Sequence, residues 1–323
     1  MKPTIHILIV IVTFLTISYC GLPALANEID SIKISAISEG YLLDGVLLKK
    51  SNDQQKRPVV IFLVGSGNSS HRTNYKDFNQ FFLEKTFLEN GFAIAYFDKR
   101  GIGNSQGTWY ETTFQQRALD AKNVALEIQK SAFIDKNKVF LIGHSQGGWI
   151  VQIALSQYPE VFAGGVSMAG ATFGVKKQLI NDYQSDYICE KGFDEKKALK
   201  RATRKVNRDL FVVSLIGRKG NWRQLNLIKN FEPEPYLKSI NKPLLLLLGE
   251  NDELVNSRWC IDDLNSLFSN KIPINFEVVL AQGETHSFKT APKCYKGNVA
   301  ETFYSEKTSE ILFSWIKQHS NNT

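Results

Sequence analysis

The chain has 323 residues, of which 43% are hydrophobic and 22% charged, and it carries a formal net charge of +7 at pH 7. This length and composition suit one large core and exclude several independent domains. The basic residues are dispersed except for one dense run at 196–208. We interpret that run as the solvated face of an amphipathic helix, and therefore expect no nucleic-acid partner.

The first 26 residues differ in composition from the rest of the chain. After Lys2, no acidic residue, lysine or arginine occurs before Glu28, and the segment 5–20 is predominantly apolar. Small residues at Ala24 and Ala26 fit the cleavage site of a signal peptidase. We expect residues 1–26 to be a secretory signal peptide rather than an uncleaved anchor. The mature protein would then be periplasmic or secreted, without stable membrane insertion.

Apolar runs and helical patterns alternate along the rest of the chain. Runs at 31–37 and 41–50 predict an antiparallel hairpin. Six continuous apolar runs predict strands buried on both faces, at 57–65, 91–98, 138–143, 162–170, 242–250 and 274–280. Helical patterns lie between or after them, at 75–89, 113–130, 146–157, 257–268 and 302–318. The alternation predicts an α/β fold with a mostly parallel sheet flanked by helices.

This alternation is interrupted once, between residues 171 and 239, where no convincing buried strand occurs. The apolar run at 209–217 and the scattered aromatic residues supply surface to bury, so an inserted, mainly helical cap is expected there rather than disorder. The predicted organisation is a core made of residues 27–170 and 240–323, with the cap insertion at 171–239.

Three cysteines remain after residue 26, namely Cys189, Cys260 and Cys294. In an exported protein they would meet an oxidising compartment, where at most one disulfide can form within the chain. The spacing of the cysteines does not select the pair. The sequence contains neither a CxxC nor an HExxH motif, and we predict no metal site.

The segment GHSQG at 143–147 matches the pattern G-x-S-x-G between a predicted strand and a predicted helix. In such a turn the serine adopts a sparsely allowed backbone conformation, and close backbone contacts leave no room for side chains beside it. The turn exposes the hydroxyl and directs the helix N-terminus at it, which favours an oxyanion. Ser145 is therefore the candidate nucleophile, with a purely structural glycine turn as the alternative.

A serine nucleophile needs a base, and four histidines follow residue 26. His286 lies in a loop after the last predicted strand, which is a suitable place for the base. His144 adjoins Ser145, and its ring is expected to point away from the hydroxyl. His71 follows an early loop and His319 lies in the polar tail. We predict that His286 is the base.

The base in turn needs a carboxylate that orients it. Glu250, Asp252 and Glu253 lie at or just after the end of the apolar run at 242–250. We predict Asp252, because its distance from the strand leaves room for the loop to turn back toward His286, and we keep Glu250 as the alternative. The chain order serine, aspartate, histidine is the order found in the α/β-hydrolase topology.

Five segments together carry a family resemblance: IFLVGSG, YFDKRGIGNSQG, GHSQGG, LLLGENDELV and GETHSF. Over residues 31–319 the chain resembles an α/β-hydrolase of the serine esterase and serine aminopeptidase-like branch. The resemblance implies an eight-stranded, mostly parallel sheet and no cofactor. It also implies hydrolysis of an ester or related acyl bond through an acyl-enzyme.

The resemblance further implies an oxyanion hole made of two backbone amides. One amide belongs to Gln146. The other belongs to the loop after the strand at 57–65, where the family commonly has His-Gly and this chain has Val64-Gly65. The match assigns the second amide to Ser66, with Gly67 as the alternative.

The segment DKRGIGNSQG at 98–107 contains three glycines after a predicted strand. Their spacing is G-x-G-x-x-x-G rather than that of a dinucleotide-binding loop, and no helix begins promptly after it. We interpret the segment as a structural loop near the site. Asp98 and Arg100 are predicted to form a buried pair, and Ser105 is predicted to be a turn residue.

The sequence therefore predicts an exported serine hydrolase, a carboxylesterase, that acts on a small-molecule ester or a short peptide-like substrate. Aromatic residues of the cap are candidate contacts for the acyl group, namely Tyr183, Tyr187, Phe193 and Trp222. Packing of the cap onto the core is the simpler explanation of these residues.

Three alternative functions remain. A peptidase of the same fold would need an acidic group for the substrate amine, and Asp182, Asp186 and Glu190 are the candidates. A thioesterase is disfavoured for an exported protein, because coenzyme A thioesters are cytosolic. A non-catalytic binding protein is disfavoured because no member of the predicted triad is missing.

Overall fold

An eight-stranded sheet forms the centre of the computed structural model, which describes residues 29–51 and 55–321. Its strands are β1 (Ile29–Ser38), β2 (Tyr41–Lys50), β3 (Arg57–Leu63), β4 (Ala93–Phe97), β5 (Ile134–His144), β6 (Gly164–Met168), β7 (Leu244–Gly249) and β8 (Phe276–Ala281). Their order is β1-β2-β4-β3-β5-β6-β7-β8. The pairs β1–β2 and β2–β4 are antiparallel, and the other five are parallel. The predicted hairpin and mostly parallel sheet are confirmed.

Helices connect the strands and cover both faces of the sheet. They are α1 (Lys76–Asn79) with a π-helical continuation (Gln80–Leu88), α2 (Phe114–Ile128), α3 (Gln146–Gln157), α4 (Val175–Cys189), α5 (Glu195–Ile216), α6 (Gly220–Ile228), α7 (Glu234–Ser239), α8 (Ser257–Leu267) and α9 (Glu306–Asn321). The predicted signal peptide, residues 1–26, lies outside the described residues. No helix of the described residues is long and apolar enough to cross a membrane.

The central strands separate two apolar layers, because successive side chains of a strand point to opposite faces. In β3, Val59, Ile61 and Leu63 pack in the layer that contains α2 and α3, whereas Val60 and Phe62 pack in the layer that contains the π-helical segment and α9. All five residues are buried. Burial on both faces explains why β3 is a continuous apolar run.

The segment between β6 and β7 contains α4, α5, α6 and α7; we call residues 171–239 the insertion. The end of α4 is covalently linked to the loop after β8 by a disulfide between Cys189 and Cys294. Cys260 is a buried free thiol, and burial raises its pKa to about 12. The structure thus identifies the disulfide pair, which the spacing of the cysteines in the sequence did not select.

The apolar run at 209–217 does not bury all of its large side chains, contrary to the sequence prediction. Phe211, Leu215 and Ile216 are 64%, 60% and 60% exposed. The run lies at the C-terminal end of α5, whose buried side is formed by small and β-branched residues, namely Ala198, Ala202, Val206 and Val213. Helical periodicity turns Phe211 and Leu215 away from that side.

The predicted pair of Asp98 and Arg100 is wrong. A turn from Lys99 to Ile102 directs the two side chains to different elements. Asp98 Oδ1 lies 2.9 Å from His71 Nδ1, whereas Arg100 donates to both carboxylate oxygens of Asp120 in α2.

Ser105 has a structural position, in line with its predicted role in a turn. Its hydroxyl donates to Asp98 O and accepts from the Asp44 amide, and the residue is buried.

The Arg100–Asp120 pair provides a stability test. Both side chains are 3% exposed, and Asp120→Asn would leave the buried guanidinium without its main counter-charge. We expect a loss of about 3 kcal/mol in the free energy of unfolding, measured by urea denaturation. The matched control is Glu127→Gln on the same helix, because Glu127 pairs with Lys130 at the surface; that change should cost less than about 0.5 kcal/mol. Equal losses of stability in the two variants would show that the buried Arg100–Asp120 pair stabilises the fold no more than a surface pair does.

Candidate active site

Ser145 occupies a sharp turn between β5 and α3, with φ of 54° and ψ of −123°. The flanking positions must be glycine because a side chain there would collide with nearby backbone atoms. A Cβ atom at Gly143 would lie 2.1 Å from Gly147 O, and one at Gly147 would lie 2.2 Å from Leu63 O. The Ser145 amide donates to Met168 O, and Ser145 O accepts from the Gly148 amide. The strained residue is therefore held by hydrogen bonds on both sides.

Asp252 and His286 follow the carboxyl ends of β7 and β8, at the edge of the sheet where β5 ends at Ser145. Parallel strands place their carboxyl ends together, so residues distant in sequence meet there. Asp252 Oδ2 lies 2.8 Å from His286 Nδ1, and Oδ1 accepts from the amides of Leu254 and Val255, both at 2.8 Å. This network fixes the carboxylate against one nitrogen of the imidazole.

Glu250, the alternative acid, has a different partner. Its carboxylate accepts from the Gly283 amide at 2.8 Å. The structure therefore brings Asp252, and not Glu250, to His286.

The pKa of His286 is raised above its usual value. Burial alone would lower this pKa, but the charge and hydrogen bond of Asp252, with a further contribution from the charge of Asp182, outweigh it. Because Nδ1 faces Asp252, Nε2 is the nitrogen left to exchange a proton. Among the described residues, no hydrogen bond joins Ser145 Oγ to the His286 ring, as is common for catalytic pairs before substrate binds.

His144 connects two loops around Ser145 through a chain of hydrogen bonds. Its Nε2 lies 2.9 Å from His286 O, which can only accept, so Nε2 carries the proton. Nδ1 then accepts from the Tyr75 hydroxyl at 3.0 Å, and that hydroxyl accepts from the Gly65 amide at 3.0 Å. Burial, with the nearby charge of His286, lowers the pKa of His144 to about 3. The ring therefore stays neutral and keeps this tautomer.

Two buried cations hold the loop that follows β3. Lys99 Nζ donates to Gly65 O and Gly67 O at 3.0 and 2.6 Å. Arg117 donates to Val64 O and to the side-chain oxygen of Gln146, both at 2.6 Å. Burial lowers the pKa of both groups, that of Arg117 to about 10. Because the cations bind the loop's carbonyl oxygens, they restrain the orientation of its peptide groups.

Ser66 and Gln146 lie beside Ser145 in one pocket. The loop approaches Ser145 closely at Gly65, where a Cβ atom would be 3.4 Å from Ser145 Cβ. Gln146 is the first residue of α3, so its amide precedes the first hydrogen bond within that helix. The Ser66 amide makes no hydrogen bond to the described residues. Two donors are thus available next to the candidate nucleophile.

The pocket above Ser145 has a volume of about 300 Å³. Helices α4 and α6 of the insertion form much of its wall. The lining is largely apolar. Its apolar residues are Trp149, Ala171, Val175, Leu179, Leu225, Ile228, Leu254 and Val255, and its polar residues are Ser66, Ser145, Gln146, Gln178, Asp182, Asn221 and Gln224.

The four aromatic residues predicted to contact an acyl group do not line this pocket. Tyr183 donates to Asp209, and Tyr187 and Phe193 stack on each other. Trp222 is 49% exposed. Their places are explained by packing within the insertion and by exposure at its surface.

Of the three acidic residues considered for binding an amine, Asp182 alone lines the pocket. Burial raises its pKa to about 7, and the charges of Asp252 and Asp186 act in the same direction. Asp186, on the same helix, and Glu190, directly after it, are exposed.

One group of potential metal ligands occurs among the described residues, formed by Glu253 and the two sulfur atoms of Cys189 and Cys294. The sulfurs are bonded to each other, so neither is available as a thiolate.

Comparisons with known proteins agree with this architecture. A family model described as serine aminopeptidase, S33 matches residues 54–209. An esterase from Pyrococcus furiosus superposes with a TM-score of 0.60 at 19% identity, covering 90% of this chain and 91% of the esterase. The esterase Est1E from Butyrivibrio proteoclasticus, solved with ferulic acid bound, gives 0.58 at 18% identity, covering 88% and 98%. The chain thus has the α/β-hydrolase fold of these solved structures, and the family model and the solved structures together support membership of that superfamily.

Among curated proteins, the acylamino-acid-releasing enzyme of Mus musculus is 23% identical over 253 residues, which is 76% of this chain. This chain spans about a third of the length of that relative, of which 31% is covered. These comparisons support a hydrolase of the α/β fold.

Several residues of the site carried no signal in the sequence. Tyr75, Lys99 and Arg117 contact the site through long-range hydrogen bonds to loops. The tyrosine lies in a helical pattern, Lys99 lies between the two residues that were predicted to pair, and Arg117 is one of several charged residues in α2. Nothing in these local patterns indicates which loop each side chain contacts.

Tyr75→Phe tests the hydrogen-bond chain. The substitution would leave the Gly65 amide and His144 Nδ1 without their partner, and we expect a loss of about 2 kcal/mol in the free energy of unfolding by urea denaturation. The control is Tyr304→Phe, since Tyr304 belongs to the same aromatic cluster and its hydroxyl has no hydrogen bond to the described residues. That control should lose less than about 0.5 kcal/mol. If the Tyr75 variant is as stable as the control, these hydrogen bonds contribute nothing to the free energy of unfolding.

Proposed function

We propose that the protein is an exported serine hydrolase that cleaves carboxylic esters through Ser145, His286 and Asp252. The observation that carries the proposal is the hydrogen bond of 2.8 Å between Asp252 and His286 at the edge of the sheet that also carries Ser145 in its strained turn. Asp252 is buried and receives two further amide bonds, so it is pre-organised to orient the imidazole.

The reaction begins when His286 Nε2 takes the proton of Ser145 Oγ as the oxygen attacks the substrate carbonyl. The carbonyl oxygen becomes an oxyanion, which the amides of Gln146 and Ser66 stabilise. The tetrahedral intermediate collapses, the ester C–O bond breaks, and His286 returns the proton to the departing alcohol. Water then attacks the acyl-enzyme by the same proton transfers, which releases the acid and restores Ser145.

Lys99 and Arg117 act as positioning residues in this mechanism. They bind carbonyl oxygens of the loop that carries Ser66, and Arg117 also binds the side chain of Gln146. Both side chains thereby fix peptide groups of the loop that supplies one of the proposed oxyanion donors. Donors that are fixed before the reaction stabilise a developing charge more than water does.

The lining of the pocket supports an ester with a modest apolar acyl group. Its volume is about 300 Å³, and most of its wall is apolar. The similar solved structures include proteins named as esterases. The disulfide between Cys189 and Cys294 supports export, because disulfides persist in oxidising compartments.

Covalent labelling tests the nucleophile. Purified protein should react with a fluorophosphonate probe, and Ser145→Ala should abolish the label because the attacking oxygen is gone. Ser69→Ala is the control, since Ser69 lies on the neighbouring loop and donates to Ser66 O; its labelling should match that of the unchanged protein. Labelling that persisted in Ser145→Ala would assign the nucleophile to another residue.

A peptidase acting on a substrate with a free amino group is the second candidate, and Asp182 is the observation that favours it. Asp182 lines the pocket with Ser145, and its carboxylate accepts from Gln178 at 2.8 Å. An ionised carboxylate there would bind a substrate ammonium group. The family model and the mouse relative, whose descriptions name an aminopeptidase and an acylamino-acid-releasing enzyme, agree with this alternative.

Asp182→Asn separates the two candidates. For an esterase, p-nitrophenyl butyrate hydrolysis should rise with pH through a pKa above 6.5, because His286 must be neutral and its pKa is raised. Removing the charge of Asp182 lowers that pKa, so the acidic limb should move to lower pH with the plateau kept. For a peptidase, kcat/KM for alanine p-nitroanilide should be substantial. It should fall about 100-fold in Asp182→Asn, because the variant lacks the charge that binds the substrate ammonium group; a factor of this size is near the upper end for the coupling of two interacting groups. Asp186→Asn, with its exposed carboxylate, is the control and should change neither profile much.

A further inference from the structure

Helix α5 presents two kinds of side chain on its solvent-facing side. With 100° per residue, Lys200, Arg204 and Arg208 share one side of the helix with Phe211 and Leu215. The opposite side carries the buried residues Ala198, Ala202, Val206 and Val213. The exposed side is therefore cationic along most of its length and apolar at its C-terminal end.

The apolar end continues into the next helix. Ile216 is 60% exposed, and Trp222, in the first turn of α6, is 49% exposed. The two helices meet closely, since a Cβ atom at Gly217 would lie 2.8 Å from Trp222 O. We call Phe211, Leu215, Ile216 and Trp222 the apolar corner. None of these four side chains is buried, and large apolar side chains exposed so close together along the chain favour an interaction site.

Positive charge surrounds the apolar corner. Arg218 and Lys219 are exposed between α5 and α6, and Arg208 lies one turn before Phe211. Residues 194–229 contain eleven lysines and arginines and three acidic residues. Asp209 pairs with Lys205 and Arg208, whereas Arg204, Arg218 and Lys219 make no ion pair with the described residues. The surface thus combines unpaired positive charge with exposed aromatic and aliphatic side chains.

We propose that this surface docks the protein on an anionic lipid bilayer. The apolar corner would enter the interface between headgroups and acyl chains, while the cations on α5 would lie against the anionic headgroups. Helices that bind membranes peripherally combine Lys and Arg with Trp, Phe and Leu in this way. A nucleic acid would satisfy the cations but leave the aliphatic side chains exposed. A second copy of the chain would bring together two surfaces of the same positive charge.

Docking would also orient the pocket. Asn221, beside Trp222, and Leu225, one turn further along α6, both line the pocket above Ser145. The helix that contacts the bilayer would therefore also form one wall of the pocket. The proposal concerns binding alone, so it does not depend on the ester chemistry.

Vesicle co-sedimentation of the full chain tests the proposal. Vesicles of phosphatidylcholine alone are compared with an equimolar mixture of phosphatidylcholine and phosphatidylglycerol. We expect binding at least about tenfold tighter to the anionic vesicles, and a loss of about tenfold or more in two variants. One variant is Phe211→Ser with Leu215→Ser and Ile216→Ser, and the other is Arg204→Gln with Arg218→Gln and Lys219→Gln.

The matched control removes three exposed apolar side chains elsewhere, by Ile37→Ser, Ile274→Ser and Phe303→Ser, which are 61%, 105% and 78% exposed in the unchanged chain. If the apolar corner is the surface that binds the bilayer, the affinity of this control for vesicles should stay within about twofold of that of the unchanged protein. Equal losses in the control and the corner variant would overturn the proposal, as would equal binding to neutral and anionic vesicles.

Fluorescence gives a local readout. Dibrominated phosphatidylglycerol should quench part of the tryptophan emission, and Trp222→Phe should remove that quenched part. Trp259→Phe is the control, because Trp259 lies on α8 against Lys177, and it should leave the quenched part unchanged. Quenching that survives Trp222→Phe would place the membrane contact elsewhere and overturn the proposal. The proposal would also be overturned if the apolar-corner variant bound vesicles as the unchanged protein does. A changed molar mass in sedimentation would then indicate a second copy of the chain as the partner, and a changed affinity for single-stranded DNA would indicate a nucleic acid.

Discussion

The backbone of Ser145 is the constraint on which the rest of the site depends. Its φ of 54° is unfavourable for a residue with a side chain, and such a conformation costs about 1–3 kcal/mol and persists only where its surroundings enforce it. Here β5 and α3 enforce it from both sides, and the glycines at 143 and 147 allow the close approach that Cβ atoms would prevent. The same turn places the N-terminus of α3, with Gln146, at the pocket that contains Ser145.

Hydrogen bonds transmit this geometry to the loops on either side. The chain from the Gly65 amide through Tyr75 and His144 to His286 O ties the loop after β3 to the loop after β8. His144 suits this position because its lowered pKa keeps it neutral, with one nitrogen donating and the other accepting. The loops are thereby set relative to Ser145 before any substrate binds, as electrostatic pre-organisation requires.

Much of the fold could be predicted from the sequence, because apolar periodicity reports burial directly. The strands buried on both faces appear as continuous apolar runs, and the predicted helix at 146–157 matches α3 residue for residue. The places of Ser145, Asp252 and His286 at one edge follow from the parallel order of the strands. Their catalytic roles remain predictions.

Other features could not be predicted, since they depend on which elements meet in space. Asp98 and Arg100 were near enough in sequence to suggest a pair, yet the turn between them gives each a partner on another element. The apolar run at 209–217 suggested burial, but the helix that contains it has its core contacts on the other side. Tyr75 is 69 residues from His144, so nothing in the local pattern indicates their contact.

In the proposed mechanism, Ser145, His286 and the amides of Gln146 and Ser66 converge on one reacting group. A crystal structure of the protein after reaction with a p-nitrophenyl phosphonate tests this convergence. We expect phosphorus bonded to Ser145 Oγ, one phosphonyl oxygen within hydrogen-bonding distance of both amides, and His286 Nε2 facing the leaving-group side. A phosphonyl oxygen that points away from both amides, or phosphorus bonded to another residue, would contradict it.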